Sequence, residues 1–301
     1  MRQVSVLLST YNGEKYLDEQ IQSLIKQEGV YVKIFVRDDG SIDKTCEILQ
    51  KYKNMGVLEW YSGVNIKPAY SFLDLLYKVP ESDYYAFCDQ DDVWIKDKLK
   101  IAVDHLEEYP QEKPALYYGR ARLTDQYLQP IGIGRTSADK MLDFYSALIN
   151  SNAIGCTMVF NIALANVIRE RKPSYIFMHD SWIHKVCIIS KGNIFFDDDV
   201  HVLYRQHEKN VIGGINSGRK RIRNHFESFI KKECVRSKMI CSLLECYGDI
   251  MEQEEYEICK LLSEYKKSTV KRIKILFCKK IKTDYFRRNI LFRIAIVLKI
   301  F

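Results

Sequence analysis

Three carboxylates stand within four positions in "FCDQDDVW" (87–94). Asp89, Asp91 and Asp92 follow directly on "DYYAF", an apolar run that reads as a buried strand. Carboxylates this close raise one another's pKa and resist burial unless a cation is present. Hard oxygen donors two residues apart suit Mg2+ or Mn2+, ions that keep water and substrate phosphate oxygens among their ligands. This spacing predicts an ion that ties the chain to a diphosphate. The sequence has no Gly-x-x-x-x-Gly-Lys loop and no GxGxxG turn, so both common phosphate cradles are missing and the metal must carry more of the load. Two further polar blocks, "STYNGE" (9–14) and "RDDGS" (37–41), also end apolar runs. Taken singly, Asp and Asn after a strand make turns and helix caps. Three such blocks at one edge of a sheet are harder to assign to turns alone.

Bringing them to one edge requires an alternation of strands and helices, and the first hundred residues have it. "VSVLLST" (4–10) reads as a strand, and Leu17, Ile21, Leu24 and Ile25 then recur at helical spacing. "VYVKIFVRDDGS" places Val32, Ile34 and Val36 on one strand face, and Ser41 is a candidate cap for a helix carrying Cys46, Leu49 and Tyr52. "GVLEWYSG" and "DYYAFCD" are the third and fourth strands. "AYSFLDLLYKV" and "KDKLKIAVDHLEEYP" are the helices that follow them, the latter with Leu99, Val103 and Leu106 inward. Successive strand–helix units imply right-handed crossovers and an α/β fold, a mostly parallel sheet with helices on both faces. Ligands of such sheets bind at the carboxyl ends of the strands, where all three polar blocks fall.

"VSVLLSTYNGEKYLDEQIQSLIKQ", "VRDDGSIDKT" and "FCDQDDVWIKDKL" resemble, in order and spacing, the signature blocks of glycosyltransferase family 2, inverting enzymes of the GT-A (Rossmann-like) fold. The DQDDVW variant is similar to the rhamnosyltransferase-like branch, and the likeness covers about residues 1 to 214. The resemblance implies a nucleotide held by Thr10, Tyr11, Asn12 and Glu14, with Asp38 at the base, Asp39 beside it and Gln90 at the donor. It implies metal binding by Asp89 and Asp91, with Asp92 in supporting or sugar contacts and Trp94 packing. From "VLYRQHEKNVIGG" (202–214) it nominates Arg205 at the diphosphate and His207 as a metal or phosphate contact, before a glycine pair typical of a mobile loop. In "FMHDSWIHKVCIIS" (177–190) a helix starts at His179 or Asp180, with Trp182, Ile183, Val186 and Cys187 inward. Asp180 is a helix cap on a plain reading and the general base by resemblance. "NAIGCTMVFN" (152–161) reads as a strand whose small residues Gly155 and Cys156 either pack closely or leave room for a sugar.

The expected domains are a catalytic body over 1–214, with its nucleotide half at 1–110 and its acceptor half at 111–214, and a helical region over 215–301 with a basic tail. Charge marks the division: residues 1–214 hold 25 Lys and Arg against 29 Asp and Glu, whereas residues 260–301 hold 13 against 2. Such asymmetry points to a basic appendage meeting an anionic surface. The tail from 268 on mixes cations with Ile, Leu and Phe, which suits an anionic membrane interface, a packed terminal helix or a homo-oligomer contact. Nine cysteines without a CxxC pair read as reduced thiols of a cytoplasmic protein, with no signal peptide expected and no apolar stretch long enough to span a bilayer.

The expectation from sequence is a glycosyltransferase dependent on Mn2+ or Mg2+, using dTDP-rhamnose or a UDP-hexose. Its acceptor would be a saccharide, lipid-linked, in bacterial surface polysaccharide synthesis, with the enzyme peripheral on the inner face of the membrane. A sugar nucleotidyltransferase and a catalytically inactive assembly partner are the alternatives. Nucleic acid is not an expected partner, because the tail has no stacking platform and no recognised module.

Overall fold

A computed structural model describes residues 1–134, 143–150, 153–207 and 235–301. The first half alternates as expected: β1 (Gln3–Thr10), α1 (Leu17–Ile25), β2 (Tyr31–Asp38), α2 (Thr45–Asn54), β3 (Leu58–Ser62), α3 (Lys67–Lys78), β4 (Tyr84–Asp89), β5 (Val93–Trp94) and α4 (Lys98–Glu107). There follow β6 (Ala115–Thr124), β7 (Pro130–Ile133), α5 (Phe144–Ile149), β8 (Val159–Asn161), α6 (Ile162–Arg169), α7 (His179–Ile189) and β9 (Asn193–Arg205). The C-terminal region contributes α8 (Val235–Tyr247), α9 (Gln253–Ser263), α10 (Thr269–Phe277) and α11 (Phe286–Val297).

The sheet runs β3-β2-β1-β4-β8-β6-β9-β5, with β7 on β6. Strands β1 to β4 pair parallel with one another, as do β6 and β9. Because β8 is antiparallel to both β4 and β6, those two point the same way, so the long strands share one direction. The departures from a parallel sheet are the short β5, β7 and β8, which make it mixed. Thr10 lies opposite Asp38, Ser9 opposite Asp89, and Asp38 opposite Ser62, so the polar blocks end flush at one edge.

Each face has its own core. Val6, Leu8 and Val36 meet Leu17, Ile21 and Leu24 of α1 and Leu99, Val103 and Leu106 of α4. Leu7, Phe35 and Phe87 meet Phe72 of α3 and Trp182, Ile183 and Val186 of α7 on the other. Each such side chain contributes roughly 1.5–3 kcal/mol when fully buried. Ile25 falls outside the stripe and is exposed.

Two expectations are corrected. Ser41 does not cap α2: its hydroxyl is held by Asp38, and Asp43 instead accepts from Thr45 N at 3.0 Å, so the helix begins four residues later. The segment 152–161 is not one strand. Of its described residues, Gly155–Thr157 form a 3-10 turn in which Thr157 Oγ1 donates to Ile154 O at 2.8 Å and accepts from Gly119 N at 3.2 Å. That local bonding competes with a ladder and leaves only Val159–Asn161 extended.

The C-terminal helices do not stand apart. Met239, Ile240 and Leu243 of α8, Ile258 and Leu262 of α9, Ile275 of α10 and Phe292 and Ile296 of α11 share the core that holds α3 and α7. Phe301 is buried, with its ring 5.0 Å from Phe292 and its carbonyl accepting from Ser237 at 2.9 Å. The expected boundary near 214 and the glycine pair before it lie outside the described residues. No helix among the described residues is long and apolar enough to cross a membrane.

Candidate active site

The loop after β1 is stitched to the loop after β2. Asn12, at φ 47, donates through its backbone to Ser41 Oγ at 2.8 Å, while its Oδ1 accepts from Ile42 N at 3.0 Å. Gly13 N donates to Thr45 Oγ1 at 2.8 Å, and Glu14 Oε2 accepts from Lys44 N at 3.0 Å. Gln90 joins both to the acidic loop. Its Oε1 accepts from Thr10 Oγ1 at 2.6 Å and from Tyr11 N at 2.9 Å. A Cβ at Gly13 would overlap that amide and lie 2.8 Å from Thr10 Oγ1, so the close approach requires glycine. Of the expected nucleotide contacts, Tyr11 and Glu14 are exposed, Asn12 is half-buried and Thr10 is buried beneath them.

Asp38 and Asp39 are both buried and both bound by the protein. Asp38 Oδ2 accepts from Gly40 N and Ser41 N at 3.0 Å and from Ser62 Oγ at 2.9 Å. Asp39 pairs with Arg37, whose Nε also donates to Asp74 at 3.0 Å. These carboxylates shape the loop at the end of β2.

The acidic loop is fixed at both ends, by β4 and by β5, which pairs through Val93 with Leu203 and Trp94 with Val202 of β9. That pairing brings the residues after β9 onto the loop. His207 Nε2 lies 2.6 Å from Asp91 Oδ2. Arg205 is buried, with Nε donating to Asp91 O at 2.8 Å, Nη1 to Gln126 O at 2.6 Å and Nη2 to Glu19 at 2.5 Å. Its guanidinium is thus engaged by protein atoms of three different segments. The link to Glu19 on α1, 186 residues away in the chain, was not visible in the sequence.

Asp92 is fully buried, and Oδ1 accepts from Arg205 N at 3.1 Å. It therefore sits beneath the loop, in the supporting position that was one of its two expected places. Burial, and then the charges of Asp91 and Asp89, push its carboxyl well above the usual range. Asp89 is raised to about 7 by burial first, then by Asp91 and by Asp180. Donor atoms of Asp89, Asp92 and Cys156 lie within 4.8 Å of one another. Crowded carboxylates whose ionised form burial disfavours fit a divalent cation, which would relieve their repulsion. Sequence reasoning missed Lys98, and read Cys156 as a small packing or sugar-side residue without its place beside Asp89 and Asp92. Lys98 is buried with its ammonium 3.6 Å from the Trp94 ring centroid, and burial lowers it to about 8 against the pull of Cys156, Cys88 and Asp92. Trp94 itself is buried, as expected.

Asp180 occupies the first turn of α7, half-buried, and accepts from Ser181 N. Burial raises it to about 6, opposed by that bond, by the charge of Lys185 and by Gly155 N. Lys185 is buried one turn on, its ammonium bonded to Ser181 Oγ at 2.6 Å and lowered to about 7 by burial. The preceding His179 is held between Phe72 and Phe87, with ring centroids at 4.0 and 4.8 Å. A Cβ at Gly155 would lie 2.5 Å from its Nε2, so this glycine packs closely and leaves no room there for a sugar. A carboxyl with near-neutral acidity beside a carboxylate cluster is suited to taking a proton next to a bound diphosphate.

The family model for glycosyl transferase family 2 matches residues 5–165, more than half the chain, including all three polar blocks. The chain belongs to glycosyltransferase family 2. Asp180, Arg205 and His207 lie beyond the matched span. Among curated members of similar sequence is the dTDP-rhamnosyl transferase RfbG of Shigella flexneri, 30% identical over 228 residues, 68% of this chain and 73% of that protein. The poly(ribitol-phosphate) beta-N-acetylglucosaminyltransferase TarS of Staphylococcus aureus is 35% identical over 116 residues, 36% of this chain and 20% of that protein. The crystal structure of S. aureus TarS 1–349 in complex with UDP-GlcNAc superposes with a TM-score of 0.61 at 16% identity, over 98% of this chain and 81% of that one. Mannosyltransferase PcManGT from Pyrobaculum calidifontis, in complex with GDP-Man and Mn2+, gives 0.52 at 14% identity, over 98% and 86%. These likenesses establish the GT-A fold. This family 2 glycosyltransferase places its acidic loop and Asp180 at the carboxyl edge that the fold uses for ligands.

Proposed function

We propose that this glycosyltransferase moves one sugar, with inversion, from a nucleoside-diphosphate donor to a saccharide acceptor that is lipid-linked, in bacterial surface polysaccharide synthesis at the inner face of the cell membrane. The observation that carries the reading is Asp180: a half-buried carboxyl of near-neutral acidity, in the electrostatic reach of Asp89, at the start of a buried helix. Tyr11, Asn12 and Glu14 offer polar groups to the nucleotide over the floor made by Thr10 and Gln90. Asp38 and Asp39 hold the loop beneath the base. Asp89 and Asp91 would hold Mn2+ or Mg2+, with His207 beside Asp91 and the buried Asp92 adding negative charge from beneath. When bound, the ion supplies positive charge to the departing diphosphate.

Asp180 removes the proton of the acceptor hydroxyl as that oxygen bonds to the anomeric carbon. The bond from that carbon to the diphosphate oxygen breaks, and its electron pair leaves with the nucleoside diphosphate. The proton ends on the Asp180 carboxylate, from which solvent takes it. The likeness to RfbG favours a dTDP-rhamnose donor and the likeness to TarS favours a donor of N-acetylglucosamine. The test is a screen of dTDP-rhamnose, UDP-glucose and UDP-GlcNAc for hydrolysis with Mn2+, repeated with Asp180→Asn. One donor is expected to be consumed. The variant should bind it normally and lose transfer by about 10² to 10⁴. No hydrolysis of any donor would favour an inactive assembly partner.

A further inference from the structure

We infer that the outer faces of α10 and α11 form a docking surface for an anionic lipid bilayer, on which both helices lie in the plane of the headgroups. The inference deepens the membrane location proposed above and rests on that reading. The residues that carry it are separate from the donor site.

Helix α11 is apolar on two faces. Phe292, Ala295 and Ile296 point into the core, whereas Phe286, Ile290, Leu291, Ile294, Val297 and Leu298 are exposed, spaced by three and four residues along the other side. Helix α10 repeats the arrangement, with Ile275 buried and Val270, Ile273 and Phe277 exposed. A helix apolar on its inner stripe alone would be complete; the outer stripe needs a second apolar medium. Exposed cations rim it: Lys274, Lys279, Lys282, Arg287 and Arg293. From residue 266 onward Asp284 is the one carboxylate side chain against twelve Lys and Arg.

Charge selects the occupant. A second copy of the chain docking face to face would bring cationic rim against cationic rim, which like-charge repulsion opposes. An anionic headgroup layer complements the rim, and its acyl boundary takes the apolar stripe. Length selects the geometry: helices of 9 and 12 residues are too short to span and fit only lying flat. The face is also rigidly mounted. Phe301 locks the end of α11 into the core, and Lys282 O accepts from Ser146 Oγ of α5 at 2.8 Å. Helix α5 in turn packs on α7, which carries Asp180. A bilayer docked here is connected to the acceptor side of the site through two packed helices.

The test uses the full chain and co-sedimentation with vesicles of phosphatidylcholine alone or with about 30% phosphatidylglycerol. Binding to the anionic vesicles is expected, with little to neutral ones and loss at high salt. Ile290→Asp with Ile294→Asp should lower the bound fraction about tenfold or more while donor hydrolysis and the thermal transition stay unchanged. If that variant misfolds, Lys274→Gln with Arg287→Gln and Arg293→Gln should weaken binding through the rim alone. The inference is overturned if the intact chain stays in the supernatant with anionic vesicles. It is equally overturned if the chain is a lipid-free dimer that Ile290→Asp with Ile294→Asp dissociates. Vesicle binding by a chain that hydrolyses no donor would overturn the catalytic reading and leave this one standing.

Discussion

Replacing Gly155 with alanine tests how the candidate base is held. The added methyl would lie 2.5 Å from His179 Nε2 and 3.1 Å from Cε1, where carbon contacts settle at about 3.5–4.0 Å, so ring and turn must part by about 1 Å. His179 is fully enclosed by Phe72 and Phe87 and cannot swing aside. The displacement passes to the first turn of α7 and so to Asp180, whose carboxyl the nearby Gly155 amide helps to hold down in pKa. Overpacking of this kind costs about 1–3 kcal/mol, and misplacing a catalytic group by about 1 Å costs about 10² in rate. Urea unfolding should report that destabilisation. Turnover at saturating donor should fall about a hundredfold, with donor affinity little changed. His179→Ala makes room for the methyl, so the double variant should be less destabilised than the two single losses together, by about 0.5–3 kcal/mol. Gly155→Ala with parental stability and turnover, or strictly additive losses, would refute the proposed support.

Asp180 must be ionised to accept a proton, so kcat should fall as pH drops through about 6, and Lys185→Met should move that acid limb upward by removing the opposing charge. An unmoved limb with normal folding would assign Lys185 to packing. Exhaustive chelation should abolish donor hydrolysis, and added Mn2+ or Mg2+ should restore it; full activity after chelation would sink the metal assignment. His184 is buried and lowered to about 3, so the unfolded chain binds a proton below pH 6.5 that the folded chain does not. Stability is therefore lost as pH falls from 6.5, by about 2 kcal/mol at pH 5 for this residue. Asp89 and Asp180, raised by burial, act in the opposite sense, so the informative quantity is the difference from His184→Leu. That variant should lose about 2 kcal/mol less than the parent between pH 7 and pH 5, and equal losses would contradict the burial account.

The sheet edge was legible because three apolar runs each end in polar residues, and a parallel sheet makes those ends coincide. The first hundred residues fold almost as their periodicity predicts, down to Leu99, Val103 and Leu106 facing the core. What periodicity could not carry was pairing at long range. Nothing near Arg205 points to Glu19, and nothing in "NAIGCT" marks Cys156 as a neighbour of Asp89 and Asp92. Ser41 looked like a cap because it precedes an apolar helix, but its hydroxyl had a stronger local partner in Asp38. In the second half, short antiparallel strands and the 3-10 turn at Gly155 replaced the strand that the local pattern suggested. The tail's composition left membrane, packing and oligomer open, and the structure supplies one of these directly, since Phe301, Phe292 and Ile296 are packed inside.

The two-residue strand β5 has consequences for how this protein is made. Its ladder partner is β9, so Val93 and Trp94 wait for Leu203 and Val202, about a hundred residues later in synthesis. On a ribosome, the strands bearing the nucleotide loops emerge early, but the far anchor of the acidic loop arrives only after residue 205. A nascent chain stopped short of that point has the scaffold of an enzyme and lacks the closed ring of contacts that sets Asp91 against His207 and Asp92 against Arg205. Competence for chemistry is thus delayed until translation of the body is nearly complete.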